Sequence, residues 1–293
     1  MKLALIDFSP IAFAQYYGGV QRDDDLETTE DKIHYLKYMI LSKLGDIQRQ
    51  IKANKTLLAF DSPGCWRHDI FKFYKAKRKE KAVDKAVDYE IITTAINELI
   101  PILKETNYEC IKVERAEADD IIAIACDTFQ PHQQIKEIII VSKDKDFQQL
   151  TNDKVSLYDY MQEKIITCED KDVFKIKLVL SGDSSDGIPN VLSDDDTFIN
   201  SDKRQKPCGE KKIQKILAEG LDSLLADTQV RKNYERNQKL IILSKQYIPE
   251  KIWKKAVDEL MKKSDKRKNI FEVGNIFRKY NFDGLCSRIN DFA

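Results

Sequence analysis

Short, nearly continuous apolar runs alternate along this chain with stretches of helical periodicity, and this alternation constrains the fold more than any other feature. Lys2-Leu3-Ala4-Leu5-Ile6-Asp7 reads as a buried strand ending in an acid. Thr56 to Phe60, followed by Asp61, reads the same way, and Glu137 to Ser142 runs directly into Lys143-Asp144-Lys145-Asp146-Phe147. A further strand is expected near 109–113, with shorter pieces near 155–158 and 164–167. Between them, Ile33, Leu36, Ile40, Leu44, Ile47 and Ile51 recur at helical spacing over 31–53, and another helix is expected around 86–104. Strands apolar on both faces need cover on both faces, so the expected architecture is an α/β fold with a mostly parallel central sheet flanked by helices. In such sheets ligands collect outside the carboxyl ends of the strands. Asp7, Asp61, Asp144 and Asp146 all fall there.

Glu117-Ala118-Asp119-Asp120 opens the apolar run Ile121 to Ala125. On a helix starting here, Glu117 and Asp120 share a face, with Asp119 in the same turn. Acids in a first turn commonly cap N–H groups and complement the helix dipole. Three strand ends carrying acids beside this acidic helix start go beyond capping, and indicate a metal site. Beyond residue 169 the pattern is wholly helical. Ser181-Gly182-Asp183-Ser184-Ser185-Asp186-Gly187-Ile188-Pro189-Asn190 reads as a tight turn, followed by a polar insert, 193–206, expected to be mobile. Gly209, Lys211 and Lys212 then open a helix whose backbone N–H groups suit a phosphate. Two units are expected: an α/β domain over 1–168 and a helical domain over 169–293.

The 293 residues balance 49 Lys and Arg against 49 Asp and Glu, so global charge points to no partner. Local charge does: residues 66–85 hold eight Lys or Arg against three acids, and 203–215 hold six against one. Such patches can follow a phosphate backbone. Six scattered cysteines without a CxxC pair argue for a reducing compartment and against zinc fingers or a disulfide framework. With no leader pattern and no membrane-length apolar run, a cytoplasmic location is expected.

With these residues in place, the chain resembles the 5′-nuclease (flap endonuclease) superfamily, nearest its phage members of ribonuclease H type. The matching stretches are Leu5 to Ser9, Trp66-Arg67-His68-Asp69, Tyr74-Lys75-Ala76-Lys77-Arg78, Glu117 to Asp120, Ser142 to Phe147, and Gly182 to Asp186, in family order. The resemblance implies a metal cluster of Asp7, Asp61, Glu117, Asp119, Asp120, Asp144, Asp146, Asp183 and Asp186. It implies a helical arch over about 65–90, with Lys75 and Arg78 at the scissile phosphate and Asp7 and Asp119 central to catalysis. It also implies nucleic-acid contacts from Arg67, Lys72, Tyr74, Lys75, Lys77 and Arg78, and from a helix–three-turn–helix over about 175–220 that includes Gly187, Gly209, Lys211 and Lys212. Asn190, where many members carry Gly, and the insert depart from that motif.

A carboxylate basin without His or Cys suits two Mg²⁺ ions, which Mn²⁺ can replace. Such a pair, about 4 Å apart, clamps the attacking and leaving oxygens. Asp7, Asp61, Glu117, Asp119, Asp120 and Asp144 are expected at the first ion, and Asp146, Asp183 and Asp186 at the second. The implied substrates are forked, flap and nicked duplex DNA and RNA–DNA hybrids, cut to 5′-phosphate products during removal of RNA primers in phage replication. A single-stranded DNA-binding protein and a sliding clamp are candidate partners, no membrane is involved, and a monomer is expected. Three rival readings are a PIN-like single-strand ribonuclease, a non-catalytic module for forked or single-stranded nucleic acid, and an α/β nucleotidase or phosphatase. The hairpin near 182–215 speaks against the first and the intact acid set against the second. The third is disfavoured because no second Asp follows Asp7 two residues on.

Overall fold

The computed structural model describes residues 1–76, 78, 86–262 and 268–292. Its centre is a six-stranded sheet in the order β3-β2-β1-β4-β5-β6. The strands are β1 (Lys2–Asp7), β2 (Lys55–Phe60), β3 (Tyr108–Lys112), β4 (Glu137–Val141), β5 (Val155–Asp159) and β6 (Lys164–Ile166). The first five run parallel and β6 closes one edge antiparallel. Each expected strand is present, within a residue or two at its ends. The chain begins at the sheet centre, moves out through β2 to β3, then crosses back to lay β4 on the other side of β1. That reversal opens a crevice at the carboxyl ends of β1 and β4.

Both faces are covered, as the unbroken apolar runs require. Leu3, Leu5, Leu57, Ile138 and Ile140 pack against Ile121, Ile122 and Ile124 of α5 (Ala118–Phe129). Ala4, Ile6, Leu58, Phe60 and Val141 pack on the opposite face. There they meet α1 (Ser9–Gly18), α2 (Thr29–Ile51) and α4 (Ala86–Lys104). Thr28 caps α2 by accepting from the Asp31 N–H, and α2 buries Leu36, Ile40, Leu44, Ile47 and Ile51 at the expected spacing.

The helices after residue 169 do not form one separate body. A small core of Val179, Leu180, Val191, Ile213, Ile216, Tyr234 and Ile242 unites α6 (Lys171–Ser181), α7 (Glu210–Glu219) and α9 (Thr228–Ile241), with the short α8 (Asp222–Leu225) beside them. By contrast, Trp253, Ala256 and Leu260 of α10 (Glu250–Leu260) join the α5 face of the sheet. Phe277 of α11 (Ile270–Lys279), with Phe282 and Phe292, joins the α2 face. Each of these amphipathic helices buries its stripe on the nearest apolar surface, and for two of them that surface belongs to the sheet. No helix among the described residues is long and apolar enough to cross a membrane.

The insert, expected to be mobile, is tied down at its base. The Asn190 side chain donates to Lys206 O at 2.8 Å and accepts from the Leu192 N–H and the Ser193 hydroxyl, while Asn190 N donates to Gln205 Oε1. Lys203 pairs with Asp194 and Asp196. The Asn190 side chain is what closes the inserted loop at its base.

Candidate metal centre

Asp7 ends β1, Asp61 follows β2, and Asp144 follows β4, so three adjacent strands deliver carboxyls to the crevice. Asp61 bridges neighbours: it accepts the Ser9 hydroxyl at 2.6 Å and the Ala118 N–H at 2.9 Å, which ties the start of α5 to β2. The Ser142 hydroxyl donates to Asp7 at 3.0 Å and accepts from the Asp144 N–H. Asp144 in turn accepts the Asp146 N–H, starting the 3-10 turn Lys145–Leu150. Glu117 is the N-cap of α5 and Asp119 stands in its first turn.

The hairpin supplies the remaining acids. Asp183 and Ile188 exchange backbone hydrogen bonds of 2.9 and 2.7 Å, and the Asp183 side chain caps the Ser185 N–H. Gly182 turns the chain there at φ +65°, and a Cβ on it would lie 2.4 Å from Ile188 O. Gly187, at φ +74°, lets the hairpin approach Phe73 O, and the Lys75 N–H donates to Asp186 O at 2.7 Å. This contact docks the segment 73–75 onto the hairpin; residues 77 and 79–85 of the expected arch lie outside the described residues.

Eight of the nine expected acids line one cavity of about 1120 Å³: Asp7, Asp61, Glu117, Asp119, Asp144, Asp146, Asp183 and Asp186. Asp120 does not. It is fully buried, and its oxygens accept from Trp66 Nε1 at 2.9 Å, from both Arg67 Nη atoms and from the Glu117 N–H. Arg67, expected to face nucleic acid, is likewise buried. Its guanidinium donates to Glu117, Asp120 and Leu240 O and lies over the Trp66 ring. A bidentate guanidinium–carboxylate pair is most strongly held when enclosed, which is why these two turn inward.

Lys75 and Arg78 line the same cavity. Lys75 Nζ donates to Glu117 Oε1 at 2.5 Å and lies 3.6 Å from Asp186, while Arg78 Nη2 donates to Asp186 Oδ1 at 2.5 Å. The buried Tyr74 hydroxyl stands 2.8 Å from Glu117 and 3.0 Å from Asp186, so Tyr74 organises acids and presents no open ring face. Phe71 is buried and Phe73 packs edge-on to it. Lys72 is exposed over Phe73, and Lys211 and Lys212 are exposed at the start of α7 behind its N-cap, Gly209. Lys77 lies outside the described residues.

The electrostatics divide the acids. Burial, then Asp61 and Asp144, push Asp7 up to about 8. Burial, then Asp7 and Asp144, hold Asp119 well above the carboxylate range. Burial, then Asp144 and Asp183, raise Asp146 to about 7. Glu117 differs: burial opposes its charge, yet Lys75 and Arg67 hold it at about 2. Carboxyls that suppress one another's ionisation in one cavity suit a hard divalent cation, whose charge removes the conflict, although among the described residues no three acids already stand as ligands around one point.

Sequence reasoning passed over Ser9 and Ser142 as site residues, although both lie beside strand-end acids and now prove to orient them. The signal for Arg67 and Trp66 was their place in a motif, but the direction of their side chains had no sequence signature.

A parallel sheet whose switch point gathers carboxylates between an arch base and a hairpin defines a distinct class of α/β protein. The chain belongs to the family described as 5′-3′ exonuclease, N-terminal resolvase-like domain, which residues 2–177 match. It is 30% identical over 197 residues to a 5′-3′ exonuclease of Buchnera aphidicola subsp. Acyrthosiphon pisum, covering 64% of each protein. It is 34% identical over 115 residues to the flap endonuclease Xni of Psychromonas ingrahamii, covering 38% of this chain and 39% of that one. The match thus spans less than two thirds of the length of these bacterial relatives. In fold it is similar to the bacteriophage T5 5′-exonuclease with bound zinc, at a TM-score of 0.61 and 16% identity over 100% of this chain and 99% of that one. A T5 flap endonuclease complexed with DNA and metal ions matches at 0.63 and 18%, over 89% and 98%.

Proposed function

We propose that this chain is a divalent-metal-dependent 5′-nuclease that hydrolyses phosphodiester bonds near the 5′ ends of flap and duplex DNA and of RNA–DNA hybrids. One observation carries the reading: eight carboxyls from five separate segments converge on one cavity, with Lys75 and Arg78 at its rim. Two Mg²⁺ ions, or Mn²⁺ in their place, are the fitting occupants, and their charge supports water attack and departure of the leaving oxygen. Asp7, Asp61, Glu117, Asp119 and Asp144 would hold one, and Asp146, Asp183 and Asp186 the other. Asp120 supports the first group through Glu117 and Arg67.

Lys75 and Arg78 are engaged by Glu117 and Asp186. With Glu117 and Asp186 engaged as metal ligands, the Lys75 ammonium and the Arg78 guanidinium would be free to bind the scissile phosphate and to stabilise charge on it. Tyr74 keeps Glu117 and Asp186 aligned while its neighbours change partners. The exposed Lys72, Lys211 and Lys212 would follow the flanking backbone. Removal of RNA primers from replicating DNA is the cellular role this chemistry suits.

The test uses a 5′-labelled flap DNA and a 5′-labelled RNA–DNA hybrid, each with Mg²⁺ or EDTA. Short labelled products should form only with metal. Asp119→Asn should abolish them, and Lys75→Ala should lower kcat about 10²–10³-fold, the size of one lost charge-stabilising contact. The ratio of the two substrates then assigns the preference. Tight binding of flap DNA without cleavage would overturn the enzyme and leave a binding module.

A further inference from the structure

Beyond the ends of β1 and β2, three segments bring acids to the cavity: the start of α5, the turn after β4, and the hairpin. Two of them are hydrogen-bonded to one helix, α9, or to the residues that directly follow it, and the third, the start of α5, is joined to it through Arg67. Arg67, which holds Glu117 and Asp120, donates through Nε to Leu240 O at 2.8 Å. Gln149, in the turn that carries Asp144 and Asp146, donates to Ile241 O at 3.2 Å and accepts the Leu243 N–H at 2.9 Å. Asn237 donates to Val179 O at 2.8 Å and Pro189 O at 3.0 Å, one on each flank of the hairpin. Arg236 also donates to Pro189 O and lies over the Phe71 ring at the arch base.

Such a face is unusual for a helix packed against a core. Asn233, Arg236 and Asn237 occupy positions i, i+3 and i+4, where an amphipathic helix places apolar residues, and Asn237 is 0% exposed. Apolar contacts would bury the same surface but allow sliding; satisfied buried hydrogen bonds select a single arrangement. The carbonyls of Leu240 and Ile241 belong to the last turn of α9, whose acceptors have no partner within the helix. They are met by the side chains of Arg67, which holds the start of α5, and of Gln149, from the acid-bearing turn after β4.

We propose that α9 sets the spacing of the three acid-bearing segments, with Gln149 and Asn237 as positioning residues for cation binding. Neither side chain lines the cavity, so both act through the backbone they hold. The inference rests on the two-cation reading above. Mg²⁺ and Mn²⁺ sites tolerate little error in ligand geometry, so a slip of one segment is felt as lost affinity.

The test compares the wild type with Gln149→Met and Asn237→Leu, which keep side-chain size and remove the hydrogen bonds. Mn²⁺ binding without nucleic acid is followed by electron paramagnetic resonance, and kcat and KM are measured on a 5′-flap. Two Mn²⁺ should bind the wild type. In folded variants at least one site should weaken about 10–100-fold, the usual effect of outer-sphere changes. The kcat should fall with KM for DNA unchanged, and excess Mn²⁺ should restore it. Folded variants that bind two Mn²⁺ with wild-type affinity overturn the proposal. Should the variants not fold, hydrogen exchange of the wild type decides. Mn²⁺ should slow exchange at 233–243, which supply no acid to the cavity, and unchanged exchange there overturns the coupling. A wild type that binds no Mn²⁺ removes the two-cation reading itself before any variant is compared.

Discussion

Asp7 and Asp146 carry carboxyls raised to about 8 and about 7, so near neutral pH the metal-free cavity retains protons that a divalent cation must displace. Calorimetric titration with Mg²⁺ in buffers of different ionisation enthalpy should detect proton release at pH 7 that fades by about pH 9.5, where both groups are already ionised. Release independent of pH would show that these carboxyls do not meet the metal. A second prediction concerns Arg67 and Asp120, which are buried and paired with each other. Arg67→Leu alone strands a buried carboxylate and should cost about 3–5 kcal/mol in urea unfolding, whereas Arg67→Leu with Asp120→Leu should recover much of that loss. The double variant should still cleave poorly, because Glu117 loses the guanidinium that orients it.

At the scale of elements, the hairpin and insert act as one unit because Asn190 bonds to both ends of the loop. Asn190→Gly removes its three side-chain hydrogen bonds. At about 0.5–1.5 kcal/mol each, this should free the insert without unfolding the protein. Trypsin should then cut first at Lys203 or Arg204 while the sheet stays intact; resistance equal to wild type would place the anchoring elsewhere. The same unit explains the docked arch base. Gly187 has no Cβ, and its open side is where Phe73 O and the Lys75 N–H approach. That approach brings Lys75 and Arg78 to Asp186.

For the whole molecule, the raised and lowered carboxyls act in opposite directions on stability. Glu117, held at about 2, contributes stability that is present above its ordinary value of 4.5 and is lost as pH falls toward 2. Asp7 and Asp146 work the other way: their contribution is complete below 3.8 and is lost as pH rises through about 7 and 8. From these three groups the metal-free chain should melt highest near about pH 4 and lose stability from there toward pH 9. Mg²⁺ at about 100 times its dissociation constant should add about 2.7 kcal/mol. At one fixed Mg²⁺ concentration the gain should be larger at pH 8.5 than at pH 6. Scanning calorimetry with Mg²⁺ and with EDTA checks both slopes, and an equal gain at the two pH values would break the link between the acids and the metal.

Much of this protein is legible in its sequence because local patterns carry it. Runs such as Leu3 to Ile6 and Glu137 to Val141 are apolar on both faces and therefore belong in a covered parallel sheet. Acids directly after such runs must emerge at its carboxyl edge, whichever neighbours the strands take. Hence Asp7, Asp61, Asp144 and Asp146 could be assigned to one rim before any fold was known. Tertiary structure decided what depends on directions between distant segments. Asp119 and Asp120 are adjacent in sequence, yet successive residues on a helix point about 100° apart, so one enters the cavity and the other meets Arg67. Arg67 and Lys75 are both basic residues of one motif, and only packing against α9 and α5 separates a buried clamp from a rim cation. The polar face of α9 meets backbone up to 58 residues away, its Leu240 carbonyl meets the Arg67 side chain 173 residues away, and no local periodicity encodes such partners. Composition and spacing thus determined which chemistry the chain carries; the packing of α9 and the hairpin decided which side chains are free to perform it.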